Sequence, residues 1–253
     1  MKYLKQHYRE IVDLLQNTDA FTRLLKLKTI PHFTTLQKFF KRFSQLMFDR
    51  ILCQSLKLFQ LSVVGIAIDA TGYDSDYSSK YYSAKIKGSC FRKSYTKDSI
   101  AIDVKTQAIL ANKSCKAPRH DNKDFRPLIK RVCKQLKIDY VSADKAYDDK
   151  SNREFLNEKG IRANIHIRRF RHNKTSRLKH SMSVDENEYH QRSKVETVFS
   201  VIKRKFGSAV YSRIEWLKMK EIKLKNIVYN IYRKIKLDSK SCTTWVFVEI
   251  IEI

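Results

Sequence analysis

The sequence predicts a mixed α/β domain behind a short helical region. Three observations lead there: residues 1–58 repeat apolar side chains at helical spacing, short β-rich runs follow, and helical segments are interleaved with those runs. At 253 residues with 42% hydrophobic content, the chain can fill one sizeable core.

In the first region Tyr3, Tyr8, Ile11, Leu14 and Leu15 recur at helical spacing, as do Leu36, Phe39, Phe40, Phe43 and Met47. Between them Pro31 ends one element, and Thr34 or Thr35 can cap the next helix by accepting its free backbone N–H groups. One reading is a helix-turn-helix-like unit whose second helix lays Lys38, Lys41 and Arg42 against DNA. The other is a plain helical hairpin with a solvated basic face.

The character changes near residue 60. The run LSVVGIAIDATG reads as a buried strand that ends abruptly at Asp69 and a Thr-Gly turn. SIAIDVKTQAILAN alternates around a Thr-Gln break, as a hairpin of two strands does. From Asp124, DFRPLIKRVCKQL is helical, and IDYVSADKAYDD is a further strand that stops at Asp144. SNREFLNEKG is a helix closed by Gly160. The segment 165–180 contains no acid and reads as a solvated basic loop suited to gripping a phosphate backbone, with Arg168, Arg169 and Arg171 as its cations. EWLKMKEIKLKNIVYNIYRKIKL is helical again, and residues 237–253 form an apolar, β-rich tail of uncertain status.

Charge narrows the partner. Fifty-two Lys and Arg oppose 26 Asp and Glu, a net charge of +26 with a pI near 9.9, and such a surface calls for a polyanion, nucleic acid first. No apolar run approaches the roughly 18 residues that span a bilayer, so a soluble cytoplasmic, nucleoid-associated protein without membrane contact is expected. The five cysteines form no Cys-x-x-Cys pair, which argues against a disulfide framework or a thiolate zinc site.

Two strands end in an acid, and Asp69 and Asp144 lie together if those strands are neighbours. Oxygen-ligated cations such as Mg2+ or Mn2+ use carboxylates so placed; the plainer alternative is that each Asp merely opens a turn or caps the next helix. A third acid, Glu196, stands among Arg192, Lys194, Lys203, Arg204 and Lys205. On a helix over 189–206, Tyr189, Arg192, Glu196 and Lys203 form one stripe. Val195, Val198, Phe199, Ile202 and Phe206 occupy the adjoining face and should be buried. An i to i+4 ion pair between Arg192 and Glu196 explains the acid without any metal.

The order Tyr189, Arg192, Glu196, Lys203 resembles the signature around the third acid of DDE transposases of prokaryotic insertion sequences. AIDATG resembles the family's first block, with Asp69 as first acid, and SADKAYDD the second, with Asp144, although position 146 is Ala where Gly is expected. APRHDNKDF, with His120 and Asp121, resembles the link between them. The resemblance implies a ribonuclease H-like catalytic domain over 60–236, behind a helical region over 1–58. It implies that Asp69, Asp144 and Glu196 hold two Mg2+ or Mn2+ ions for phosphoryl transfer on DNA, while Tyr189, Arg192 and Lys203 contact transposon ends. Double-stranded DNA, as element ends and target, is the implied partner, and a homodimer is implied by the need to pair two ends. The competing readings are a nuclease of this fold without strand transfer and an inactive or domesticated DNA-binding protein. His120 and Asp121 read as a cap and loop anchor, and His190 is given no role.

Overall fold

The computed structural model describes residues 6–75, 95–167 and 184–240. Arg168, Arg169 and Arg171 of the basic segment, and the tail from 241 onward, lie outside the described residues.

Four helices open the chain: α1 (Tyr8–Gln16), α2 (Asp19–Leu24), α3 (Phe33–Arg42) and α4 (Gln45–Ser55). The cap of α3 is neither Thr34 nor Thr35 but His32. His32 holds extended backbone at ψ 148°, so the helix begins at Phe33 and Thr34 falls inside its first turn, donating its N–H to the His32 ring nitrogen. α4 and the 3-10 turn Leu56–Phe59 bury Phe48, Leu52, Leu56 and Phe59 in the cores on the two faces of the sheet, so this helix packs as part of the α/β body.

The sheet contains β1 (Val63–Ser75), β2 (Tyr95–Asp103), β3 (Ile109–Lys116), β4 (Lys137–Ala143) and β5 (Arg162–Ile165) in the order β3-β2-β1-β4-β5. β1, β2 and β3 are antiparallel neighbours, whereas β4 and β5 join β1 in parallel. A two-residue strand, β6 (Ala209–Val210), pairs with the far end of β1. Around the sheet stand α5 (Asn122–Val132), α6 (Lys150–Glu158), α7 (Glu186–His190), α8 (Ser193–Phe206) and α9 (Glu215–Lys240). This mixed sheet with helices on both faces is the ribonuclease H-like architecture that the motifs implied.

β1 alternates between the two cores: Val64, Ile66 and Ile68 join α5 and α6, while Ala67 and Tyr73 join α8 and α9. Burial on both faces explains its unbroken apolar run. The strand nevertheless does not end at Asp69 in a Thr-Gly turn. It continues to Ser75, with Gly72 opposite Lys97. A Cβ at position 72 would come 2.8 Å from the Tyr95 ring, so this glycine marks a close cross-strand approach and not a turn.

The expected single helix over 189–206 is broken into α7 and α8. Between them Arg192, Lys194 and Val195 donate their N–H groups to the carbonyls of Tyr189, Gln191 and Arg192, a tighter i to i+3 pattern that interrupts the helical ladder. The apolar face of α8 is buried as expected, with Val195, Val198 and Ile202 at 0% exposure. α9 is tied to the sheet by polar contacts. Asn226 donates to the wholly buried Asp98 at 2.8 Å, and Asn230 both donates to and accepts from the backbone of Ile109. Among the described residues no helix is long and apolar enough to cross a membrane.

Candidate active site

The parallel pairing of β1 with β4 sets Ile68 opposite Ala143, so the next residues along the two strands, Asp69 and Asp144, stand at the same sheet edge. Both are half-buried. Asp69 Oδ1 accepts the Ala70 N–H at 2.8 Å. Its carboxyl is raised above the ordinary value of 3.8, first by burial and also by Glu196 and Asp144, against the opposing pull of Arg192 and the Ala70 N–H. Both other acids of the motif are therefore within electrostatic reach of Asp69. Asp144 also does local work: its Oδ1 accepts the Lys145 N–H at 2.7 Å and caps the 3-10 turn Lys145–Tyr147.

Glu196 lies in the first turn of α8, on the rim of that helix's buried face. Its side chain is 61% exposed and pairs with Arg192 Nη1 at 3.5 Å, the i to i+4 contact that the spacing allowed. Among the described residues no three His, Cys, Asp or Glu side chains converge closely enough to hold a metal ion. The donor set still fits a hard divalent cation, because Asp69 and Asp144 are carboxylate oxygen donors standing at one edge, and burial disfavours the charged form of Asp69 until a cation compensates it.

The rest of the stripe is engaged within the protein. Lys203 Nζ donates to Thr71 Oγ1 at 2.7 Å and stands 5.5 Å from the centre of the Tyr73 ring, with its pKa lowered by burial. Tyr189 on α7 meets the His166 ring edge-on at 4.0 Å, and its phenol is raised first by burial and also by Asp144. Tyr189 thus sits within the electrostatic reach of the second acid. His166, at the end of β5 and 3.4 Å from Glu186, carries no signal in the sequence, because β5 is too short to be recognised there.

Lys97 is a second residue without a sequence signal. Its side chain is 4% exposed, and its ammonium meets Asp121 at 2.6 Å, Asp124 at 3.0 Å and the Arg119 carbonyl at 3.2 Å. Asp121 is therefore a loop anchor through Lys97 and makes no capping bond to α5. Asp124 is wholly buried, yet Lys97 and Lys113 overcome the burial and hold its carboxyl below the ordinary range.

Lys38, Lys41 and Arg42 are exposed on α3. Lys38 and Lys41 line a groove of about 640 Å³ with Tyr211, Arg213 and Leu217, and none of the three acids lines it. The C-terminal end of α3 is fastened to α9 by Lys220, whose ammonium donates to the Lys41 carbonyl at 3.0 Å.

Residues 63–231 match the family described as the transposase DDE domain, about two thirds of the chain. The chain belongs to this transposase DDE domain family. The matched stretch of the transposase domain begins with β1 and ends inside α9, so it contains the whole sheet and all three acids. No curated protein matches the chain. Among solved structures, a chain of the simian T-cell lymphotropic virus intasome in complex with PP2A regulatory subunit B56 gamma is similar at 9% identity and a TM-score of 0.37, over 64% of this chain and 48% of that one. The transposase domain and its flanks thus span less than half of the intasome chain. The catalytic core domain of BIV integrase is similar at 8% identity and TM-score 0.33, over 71% of this chain and 98% of that one. The pre-cleavage Mos1 transpososome is similar at 10% identity and TM-score 0.33, over 95% and 80%. At these values the family match is the deciding observation.

Asp69 leads to a pH-dependent prediction. An acid whose pKa is raised on folding contributes its full stability below the unfolded value and loses it as pH rises through the folded value. Asp69→Asn is therefore expected to raise the melting temperature by a few degrees near neutral pH. The gain should vanish as the pH falls to the ordinary carboxylate range, which paired thermal melts at the two pH values measure.

Proposed function

We propose that the protein is a transposase that cuts and joins DNA at the ends of an insertion sequence, with Asp69, Asp144 and Glu196 as ligands of two Mg2+ or Mn2+ ions. The observation that carries this reading is the register of β1 against β4, which stands two motif aspartates at one edge beside the helix bearing the motif glutamate. Held by these carboxylates, such ions would supply Lewis-acid activation of an attacking hydroxyl and charge stabilisation of a leaving oxygen. The protein's own contribution is to concentrate carboxylate charge at a rigid edge and to surround it with cations that bind phosphate.

Arg192 has two roles in this scheme. It neutralises Glu196 before DNA arrives, and it transfers to a phosphate when Glu196 turns to the site, since guanidinium pairs well with either anion. Tyr189 and Lys203 flank the same edge and contact the transposon end. Residues 60–236 form the catalytic domain, with Arg168, Arg169 and Arg171 of the 165–180 segment on the DNA backbone. Residues 1–58 contribute Lys38, Lys41 and Arg42 to the same duplex. Two copies pair two ends, and DNA binding places the protein on the nucleoid.

The test is Mg2+-dependent nicking and joining of duplexes that carry the terminal repeats flanking the gene. Cutting without joining would replace this reading by a nuclease, and binding without cutting by an inactive DNA-binding protein. Affinity for those duplexes is expected to fall steeply with salt, by about 10³-fold between 50 and 200 mM if six or more phosphates are contacted. Fluorescence anisotropy across that range measures the slope, and a flat response would contradict the basic surface as the DNA contact.

A further inference from the structure

Helix α7 is five residues long, and a helix that short does not hold its own geometry in water. Its placement comes from the ends of β4 and β5. The buried Asn164 donates to the Asp185 carbonyl at 3.1 Å and to Ser142 Oγ at 3.2 Å, and Ser142 Oγ donates to the Glu188 carbonyl at 3.2 Å. Arg162 pairs with Glu188 at 3.1 Å. These contacts hold the backbone of α7 and the side chain of Glu188. They do not fix the ring of Tyr189, the residue of this helix that stands on the motif stripe.

His166 meets that ring. It follows β5 directly, and the strand end before it is anchored by the buried Arg153, which donates to the Ile165 carbonyl at 2.8 Å and pairs with Asp148 at 2.8 Å. The imidazole stands edge-to-face on Tyr189, with centroids 4.0 Å apart and planes at 81°, and its Nε2 lies 3.4 Å from Glu186 Oε2. Glu186 and Tyr189 are three residues apart and so share one face of α7, where the same imidazole engages both. Aromatic pairs in this geometry are favourable beyond the area they bury.

We infer that His166 is a positioning residue, its imidazole fixing the rotamer of Tyr189 so that the phenol is already directed when DNA reaches the edge. The inference rests on the contact between Tyr189 and the transposon end proposed above, and it adds the residue that prepares that contact. A side chain held beforehand does not lose its rotamer freedom on binding, and ordering one such side chain changes affinity by about 2- to 10-fold. His166 touches no DNA in this scheme and acts through Tyr189.

A double-mutant cycle on the full chain tests this, read by fluorescence anisotropy on duplexes that carry the terminal repeats, with thermal melts to verify that each variant is folded. His166→Ala is expected to weaken binding by about 2- to 10-fold, and Tyr189→Ala at least as much. The double variant should bind within about twofold of Tyr189→Ala, because no phenol is left to position. His166→Phe keeps a ring against Tyr189 while giving up Glu186, and it should restore binding to within about twofold of wild type. A further loss in the double variant as large as that of His166→Ala alone would overturn the inference, since His166 would then act on DNA or on α7 independently of Tyr189. Wild-type affinity in His166→Ala, or no recovery in His166→Phe, would overturn it as well. Unchanged affinity in Tyr189→Ala would overturn the DNA contact assigned to Tyr189, and the inference with it, while the acid site stands.

Discussion

Asp144→Asn is expected to lower Mg2+-dependent cleavage of a duplex end by about 10³-fold or more, while folding and affinity for that end are preserved. The substitution keeps the size of the side chain and an oxygen able to accept the Lys145 N–H, so the turn Lys145–Tyr147 remains capped. On the proposed function, what is lost is one negative charge from a pair that would balance divalent cations beside phosphate. Charge stabilisation of that kind amounts to several kcal/mol, and about 4 kcal/mol corresponds to the factor named. A gel assay on end-labelled duplex, with circular dichroism and anisotropy as controls, reads all three quantities. Cleavage within tenfold of wild type would remove Asp144 from the metal site.

Asp124→Ala is expected to destabilise the protein by about 3–5 kcal/mol, the usual cost of leaving one partner of a buried ion pair uncompensated. Asp124 is 0% exposed and receives Lys97 and Ser99 on one oxygen and Lys113 and Arg119 on the other, so its removal leaves the buried ammonium of Lys97 with only the half-exposed Asp121 as counter-charge. Urea unfolding should show a lower midpoint at an unchanged slope. The double variant Lys97→Met/Asp124→Leu should recover much of the loss, because no uncompensated charge remains buried. A single variant that unfolds like wild type would mean that Lys97 finds sufficient pairing in Asp121 alone.

The parts of the fold that depend on local periodicity were legible. The apolar stripe of α8, the hairpin of β2 and β3, the strand stopping before Asp144 and the helix closed by Gly160 all follow from patterns within one segment, and the structure contains each. Boundaries that depend on a partner were not. Thr71-Gly72 has the composition of a turn but continues β1, because β2 pairs with it and the Tyr95 ring occupies the space that a side chain at 72 would need. The helix expected over 189–206 breaks where i to i+3 bonds replace the regular ladder. β5 and β6 are four and two residues long, too short for any period to stand out.

The candidate site divides in the same way. Its three acids could be named from motif order and from the charge contrast around Glu196, and the Arg192 pair could be foreseen from spacing. Lys97 and His166 could not, since their meaning lies in contacts with Asp121, Asp124, Tyr189 and Glu186, all distant in the chain.

The sequence by itself determined the basic charge and the apolar faces, because these depend on residue type and on periods of two or 3.6 residues within a short window, and it named the candidate acids through motif order. Only the tertiary structure decided that Asp69 and Asp144 share an edge and that a buried lysine anchors the loop before α5. Strand register and the packing of remote segments set those relations, and neither is written in the spacing of neighbouring residues.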